Sequence, residues 1–213
     1  MQFSIPLEKI QANPWQTKIK EPDPDYIRGL AEDIYRNTML QIPLGRALIY
    51  DQAVTLSQET LESKEGLAVQ LAFGHSRLAA YRLNNEEHGE GWGRMPVEIQ
   101  RLTDEQMAIL AWSENEFRRE LSPLERALAI RSRIDSFHWS QEMAAEKLGI
   151  SRPVVANALR LLKLPNGLKA DLQSGAIRER QALALLPLYE VVTELAGYHD
   201  FSFTVDVITG MAR

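Results

Sequence analysis

"SQEMAAEKLGISRPVVANALRLLKLP", residues 140–165, decides how the C-terminal half of the chain is read. Ser140 can cap a short helix running to Leu148, and Gly149 supplies the left-handed backbone that a sharp turn requires. Ser151 stands at the cap of a second helix, and Pro165 lies past its end. Val155, Ala158, Leu159 and Leu162 fall at i, i+3, i+4 and i+7, which predicts the buried stripe of that helix. Ala145 is small where two helices must cross closely. The opposite face carries Arg152, Pro153, Ala156, Asn157 and Arg160, with Lys163 beyond. This is the pattern of a helix-turn-helix over residues 140–163. A helix N-terminus with an arginine suits a phosphate or a guanine edge, and asparagine pairs with adenine in the major groove. A helical hairpin with a polar solvent face has the same outward chemistry, so the residues alone leave both readings standing.

Working outward, the chain has 213 residues, enough for one large or two small cores. It has no cysteine, which excludes disulfides, thiolate metal sites and cysteine nucleophiles. No run approaches the roughly 18 apolar residues of a membrane span, and the opening "MQFSIPLEKIQ" lacks a signal peptide's basic and apolar regions. A cytoplasmic protein with no membrane partner is the simplest reading. The net charge of −5 argues against a surface coated in positive charge. Residues 1–113 hold 11 basic against 16 acidic side chains, whereas 114–213 hold 13 of each. Residues 137–182 hold seven basic against four acidic, a modest basic island that permits contact with DNA.

The first hundred residues read as mixed α/β. "FSIPLEKI" is a short strand and turn, and "NPWQTKIKEPDPD" a proline-broken loop. Residues 26–37 have helical spacing through Ile27, Leu30, Ala31 and Ile34. "ALIY" and "LAVQLAF" are strands, the second alternating Leu67, Val69, Leu71 and Phe73. "DQAVTLSQETLESKEG" between them reads as a surface loop or extended hairpin. Gly74 ends the strand and Ser76–Asn84 continues as helix. "HGEGWGR" is a loop and "MPVEIQRL" a further strand. Helices follow. "TDEQ" at 103–106 and "SPLE" at 122–125 both fit a capping box, the second with proline at the first helical position and a helix running to Phe137. Strands first and helices after imply two segregated lobes.

Two stretches suggest an anion site. In "FGHSRLAAYRL", 73–83, a glycine between strand and helix lets backbone N–H groups face an anion, with Arg77 and Arg82 as charged donors. A plain strand-to-helix corner looks the same. In "WSENEFRREL", 112–121, Glu114 and Asn115 offer oxygen ligands for Mg²⁺ carried by a nucleotide, and Arg118 and Arg119 suit its phosphates. A solvated run with an i,i+4 pair of Glu114 and Arg118 fits equally. The histidines at 75, 88, 138 and 199 show no metal-ligand spacing.

In order along the chain, "IPLEKIQANPWQTK", "LAEDIYRNTMLQIPLGR", "FGHSRLAAYRL", "SENEFRRELSPLERA" and the helix-turn-helix resemble the ParB-type chromosome and plasmid partition proteins. The last two segments are the specific ones. The resemblance implies an α+β N-terminal domain of sulfiredoxin-like, ParB-like type over 1–120. An all-α helix-turn-helix domain follows over 121–213. It further implies that the first domain binds CTP with Mg²⁺ and the second a palindromic double-stranded DNA site. N-terminal domains of two copies would engage each other and close a clamp, a partition ATPase would be the partner, and the protein would sit on the nucleoid or a plasmid. Carried over by position, the nucleotide residues are Gln41, Arg46, Gly74, His75, Ser76, Arg77, Glu114, Asn115 and Arg118, with Glu114 and Asn115 toward the metal. The DNA residues are Gln141, Ser151, Arg152, Pro153, Asn157, Arg160 and Lys163.

The departures from the family pattern are local. His75, Ser76 and Ala79 replace a glutamate and two arginines of the phosphate box. The resemblance implies a slow CTPase in which a carboxylate at 75 would orient the attacking water, and His75 in its place leaves that hydrolysis open. "QIPLGR" inverts the usual Pro-Ile order. Arg180-Gln181-Ala182-Leu183 replaces a Gly-His-Ala-Arg contact to the DNA backbone, which Arg178 or Arg180 would remake. The chain ends at "TGMAR", before the family's C-terminal dimerisation domain, as a truncated or short relative would. Two other readings stand beside this one: a helix-turn-helix regulator that binds no nucleotide, and a ParB-like nuclease.

Overall fold

A computed structural model describes residues 1–16, 23–48, 57–59, 68–117 and 121–196. The chain divides into two compact units, Met1–Glu114 and Asn115–Arg213.

The first unit is built on a five-stranded mixed sheet of order β1-β5-β3-β4-β2. Its strands are β1 (Gln2–Pro6), β2 (Ile10–Gln11), β3 (Leu44–Leu48), β4 (Ala68–Leu71) and β5 (Arg94–Ile99). β1 runs antiparallel to β5 and β3 antiparallel to β4, whereas β3–β5 and β2–β4 are parallel. Two helices, α1 (Pro24–Asn37) and α2 (His75–His88), pack on each other. They bury Ala31, Ile34, Leu78 and Tyr81 in one core with Ile5, Val69, Leu71, Met95 and Val97. Asp23 caps α1 by accepting the Asp25 N–H, so the helix begins two residues earlier than its apolar spacing suggests.

The alternation expected of β4 does not hold, since Val69, Gln70, Leu71 and Ala72 are all buried. Val69 and Leu71 join the core under α1 and α2, whereas Ala72 joins a second apolar cluster with Leu44 and Met107, so this segment has no solvent face to keep polar. Gln70 is tolerated there because Arg46 binds its side-chain oxygen. β3 begins at Leu44, three residues before "ALIY", while residues 49 and 50 lie outside the described chain. Most of the expected loop at 51–66 also lies outside it.

The helix α3 (Asp104–Phe117) opens on a reciprocal box, Thr103 Oγ1 accepting from Gln106 N and Gln106 Oε1 from Thr103 N. The second unit is helical: α4 (Pro123–Phe137), α5 (Gln141–Leu148), α6 (Arg152–Leu161), α7 (Asn166–Ser174) and α8 (Glu179–Ala196). α4 starts at the expected capping box, Ser122 with Glu125, and packs against α6 and α7. Arg133 of α4 is wholly buried and donates to the Ala129 carbonyl at 2.9 Å. Burial pushes its guanidinium down to about 10. No helix among the described residues is long and apolar enough to cross a membrane.

Candidate nucleic-acid interface and anion turn

The α5–α6 corner forms as its residues dictate, with two exceptions. Ser140 Oγ accepts from Met143 N at 3.1 Å and starts α5. Gly149, at φ 66°, closes α5 by donating to Ala145 and Glu146 carbonyls. Ala144 and Ala145 are buried, and α5 packs against α6.

The first exception is the stripe of α6. Val155, Ala158 and Leu161 are its buried residues, while Leu159 and Leu162 are only partly covered. α6 ends at Leu161, and Leu162 and Lys163 form the turn toward Leu164, so the heptad spacing that selected Leu162 runs past the helix. The second is the Ser151 cap. Ser151 sits at the N-cap with extended backbone but its hydroxyl makes no capping bond. Pro153, two residues on, has no N–H to give, and the N–H groups of Val154 and Val155 go to the Ser151 carbonyl. The hydroxyl is therefore exposed rather than spent.

Gln141, Ser151, Arg152, Pro153, Arg160 and Lys163 are exposed and Asn157 is half-buried, so α5 and α6 present one polar surface. Arg178 and Arg180 are also exposed, Arg178 just before α8 and Arg180 in its first turn. One residue of this surface was not foreseen. Glu142 of α5 meets Arg152, its Oε1 2.7 Å from the arginine Nε. Its carboxyl is held below the ordinary value, first by a backbone N–H bond, then by the Arg152 charge and by the Ser140 side chain. The polar face of α5 hid it, because nothing in linear spacing links positions ten apart across a turn.

In the first unit, Gly74 is the N-cap of α2 at φ 99°. A β-carbon there would come within 2.7 Å of Pro43 Cβ, so both backbone and space demand glycine. Glycine has no side chain to cap the first turn, and that turn carries no acidic residue. Both features suit an anion at the helix N-terminus. Arg77 reaches from this turn to Gln41, donating Nη2–H to its Oε1. Gly74, Ser76, Arg77 and Gln41 thus come together.

His75 and Arg46 are held in internal networks. His75 Nε2 accepts the Asn13 backbone N–H at 3.0 Å, which places the proton of the neutral ring on Nδ1. Asn13, only 3% exposed, donates from Nδ2 to the Ala72 and Met107 carbonyls and pins the turn to α3. It lay in the stretch read as a proline-broken loop, and only its buried donors reveal it. Arg46 donates to Gln70 Oε1 and the Leu102 carbonyl, and its Nη2 lies 2.6 Å from Asp104 Oδ1. Its guanidinium ties β3, β4 and the start of α3.

Glu114 lies near the end of α3, whereas the Asn115 side chain and all of Arg118 fall outside the described residues. No cluster of three or more His, Cys, Asp or Glu suited to a metal is found among the described residues. The residues fit a phosphate better than a metal by itself. Of the two residues carried over as metal ligands, Glu114 and Asn115, the side chain of Glu114 alone falls among the described residues.

Residues 119–198 match the model of the ParB HTH domain. The chain is 42% identical over 98 residues to the nucleoid occlusion protein of Bacillus cytotoxicus and 43% identical to that of Bacillus mycoides. Those matches cover 46% of this chain and 34% of the relatives, so it spans about a third of their length. Among solved structures, it is similar to a C-terminally truncated ParB from Caulobacter crescentus complexed to the centromeric parS site. That likeness has a TM-score of 0.58 and 24% identity over 99% of this chain and 98% of that one. A Pnob8-like ParB-N domain gives a TM-score of 0.57 at 11% identity, over 98% and 89%. At these identities the two structures establish the fold.

Proposed function

This chain is a ParB-type protein, and from that premise we propose that it binds double-stranded DNA sequence-specifically through α5 and α6, as a partition or nucleoid-occlusion protein does. The observation that carries this is the outward set of Arg152, Pro153, Asn157 and Arg160 on a helix whose other face is buried under α4. A recognition helix needs this division, an apolar stripe fixing its angle and a polar N-terminal half entering the major groove. Phosphates are met by exposed Ser151, Lys163, Arg178 and Arg180, and bases by Arg152, Asn157 and Arg160.

The test is fluorescence anisotropy on a duplex selected by the chain itself from a random library. Asn157→Ala and Arg160→Ala should each cost about 1–3 kcal/mol on that duplex and far less on a scrambled one. Equal losses on both duplexes would make them phosphate contacts. No selectable site would remove the specific-binding reading.

The finer reading adds a nucleotide switch. The N-terminus of α2 receives the phosphates of CTP, Arg77 and Ser76 supply donors, and Mg²⁺ arrives on the triphosphate toward Glu114 and Asn115. The αL glycine at the N-cap and the acid-free first turn support it. Occupancy would favour association of two N-terminal domains and closure on DNA. His75, bonded through Nε2 to the Asn13 backbone, is occupied as an acceptor and is poorly placed to activate water. The chain is therefore read as binding CTP, with no residue assigned to its hydrolysis. A partition ATPase as partner and residence on a chromosome or plasmid belong to the same proposal.

A further inference from the structure

Glu142 and Arg152 belong to different helices of the corner, yet their side chains meet at 2.7 Å. Arg152 is the first residue of α6, where the helix dipole disfavours a cation. Glu142 lies in the first turn of α5, where the dipole favours an anion, and its carboxylate is already bonded to its own backbone N–H. The acid is thus the anchored partner and the arginine the guided one. The contact also has a direction. The closest approach is at Nε, by charge and without a hydrogen bond, and the terminal Nη1/Nη2 fork of Arg152 donates no hydrogen bond among the described residues. That fork is the edge that reads guanine O6 and N7.

We propose that Glu142 is a positioning residue for DNA recognition, its charge beside Arg152 Nε biasing the terminal fork toward a base rather than a phosphate. This rests on the DNA-binding reading above. An exposed ion pair adds little to folding stability, so its consequence lies in specificity. With the Glu142 charge beside its Nε, Arg152 is biased away from the nearest phosphate, and the same charge repels a backbone in a wrong register. Released, the same arginine is a mobile cation that binds any duplex.

The experiment compares wild type, Glu142→Gln, Arg152→Ala and the double variant on the selected duplex and a scrambled one over a salt series. Circular dichroism confirms that each variant is folded. Glu142→Gln should bind the scrambled duplex several-fold more tightly and the selected one no better, cutting the specificity ratio by about tenfold. The salt slope on scrambled DNA should steepen by about one contact. In the Arg152→Ala background both changes should vanish. If Glu142→Gln strengthens both duplexes equally, and does so without Arg152, the carboxylate is only a general repulsive charge and the proposal fails. It fails equally if Glu142→Gln leaves the ratio unchanged. Wild type that binds neither duplex overturns the DNA reading itself, and the positioning role with it. A second readout needs no DNA: Arg152→Ala should raise the Glu142 carboxyl toward its ordinary 4.5 in an NMR titration. An unmoved titration would show that the pair does not form in solution.

Discussion

Gly74 shows how one residue can be fixed twice. Its φ of 99° excludes side chains by local sterics, and Pro43 excludes them by contact, a β-carbon falling 2.7 and 2.9 Å from two ring carbons. Gly74→Ala should therefore destabilise the first unit by about 2–4 kcal/mol, strain and overpacking together. Urea denaturation followed by intrinsic fluorescence would measure it. A loss under about 1 kcal/mol would mean that the turn relaxes and that glycine is not required for its shape. The sequence pointed to this glycine through its place between an apolar run and a helix. It did not point to Pro43, because the close approach comes from a segment thirty residues earlier. Asn13 was hidden for the same reason: its partners are the carbonyls of Ala72 and Met107, and no local pattern marks a loop asparagine as a bracket between distant elements.

Among the elements, those with a chemical start signal were legible to within a residue, and those defined only by apolar spacing were not. The boxes at Thr103 and Ser122 and the Ser140 cap gave true helix starts because each satisfies specific orphan N–H groups. Ser151 carried the same signal without the bond, since Pro153 removes one donor and the Ser151 carbonyl takes the next. The stripe of α6 was misread at its far end because periodicity does not say where a helix stops. This has a measurable consequence. Leu161 is 1% exposed, so Leu161→Ala should cost about 2–5 kcal/mol. Leu162, only partly covered and past the helix end, should cost less than half as much on the same change. Thermal denaturation of the two variants decides between the stripes, and the reverse order would restore the spacing-based one. β4 was misread by the mirror of this error. Alternation presumes a wet face, and here the second face is covered by the cluster of Leu44, Ala72 and Met107.

Across the whole molecule, the order of strands before helices was legible because composition and period change together, and each unit builds its own core. The nucleotide half of the site was legible only as chemistry, a glycine turn and nearby arginines, and a structural corner stands beside it, because the αL backbone and Pro43 require glycine for shape alone. Since the DNA-facing residues and the anion turn lie in different units, the two activities should be separable by mutation. Arg77 stands half-covered in the first turn of α2 and makes a side-chain bond to Gln41, so its loss should not unfold the sheet. If it also meets a phosphate, Arg77→Ala removes a charge-assisted bond of about 1.5–3 kcal/mol, or roughly ten- to a hundredfold in CTP affinity. Calorimetry with CTP, ATP and GTP in Mg²⁺ would read that loss directly. Without nucleotide, the same variant should bind the selected duplex as wild type does, because α5 and α6 are untouched. Undiminished CTP affinity in Arg77→Ala would detach the arginine from the site. Failure of the wild-type chain to bind any of the three nucleotides would return "FGHSR" to a strand-to-helix corner shaped by Pro43, and leave recognition to α6 and the Arg152 that Glu142 biases.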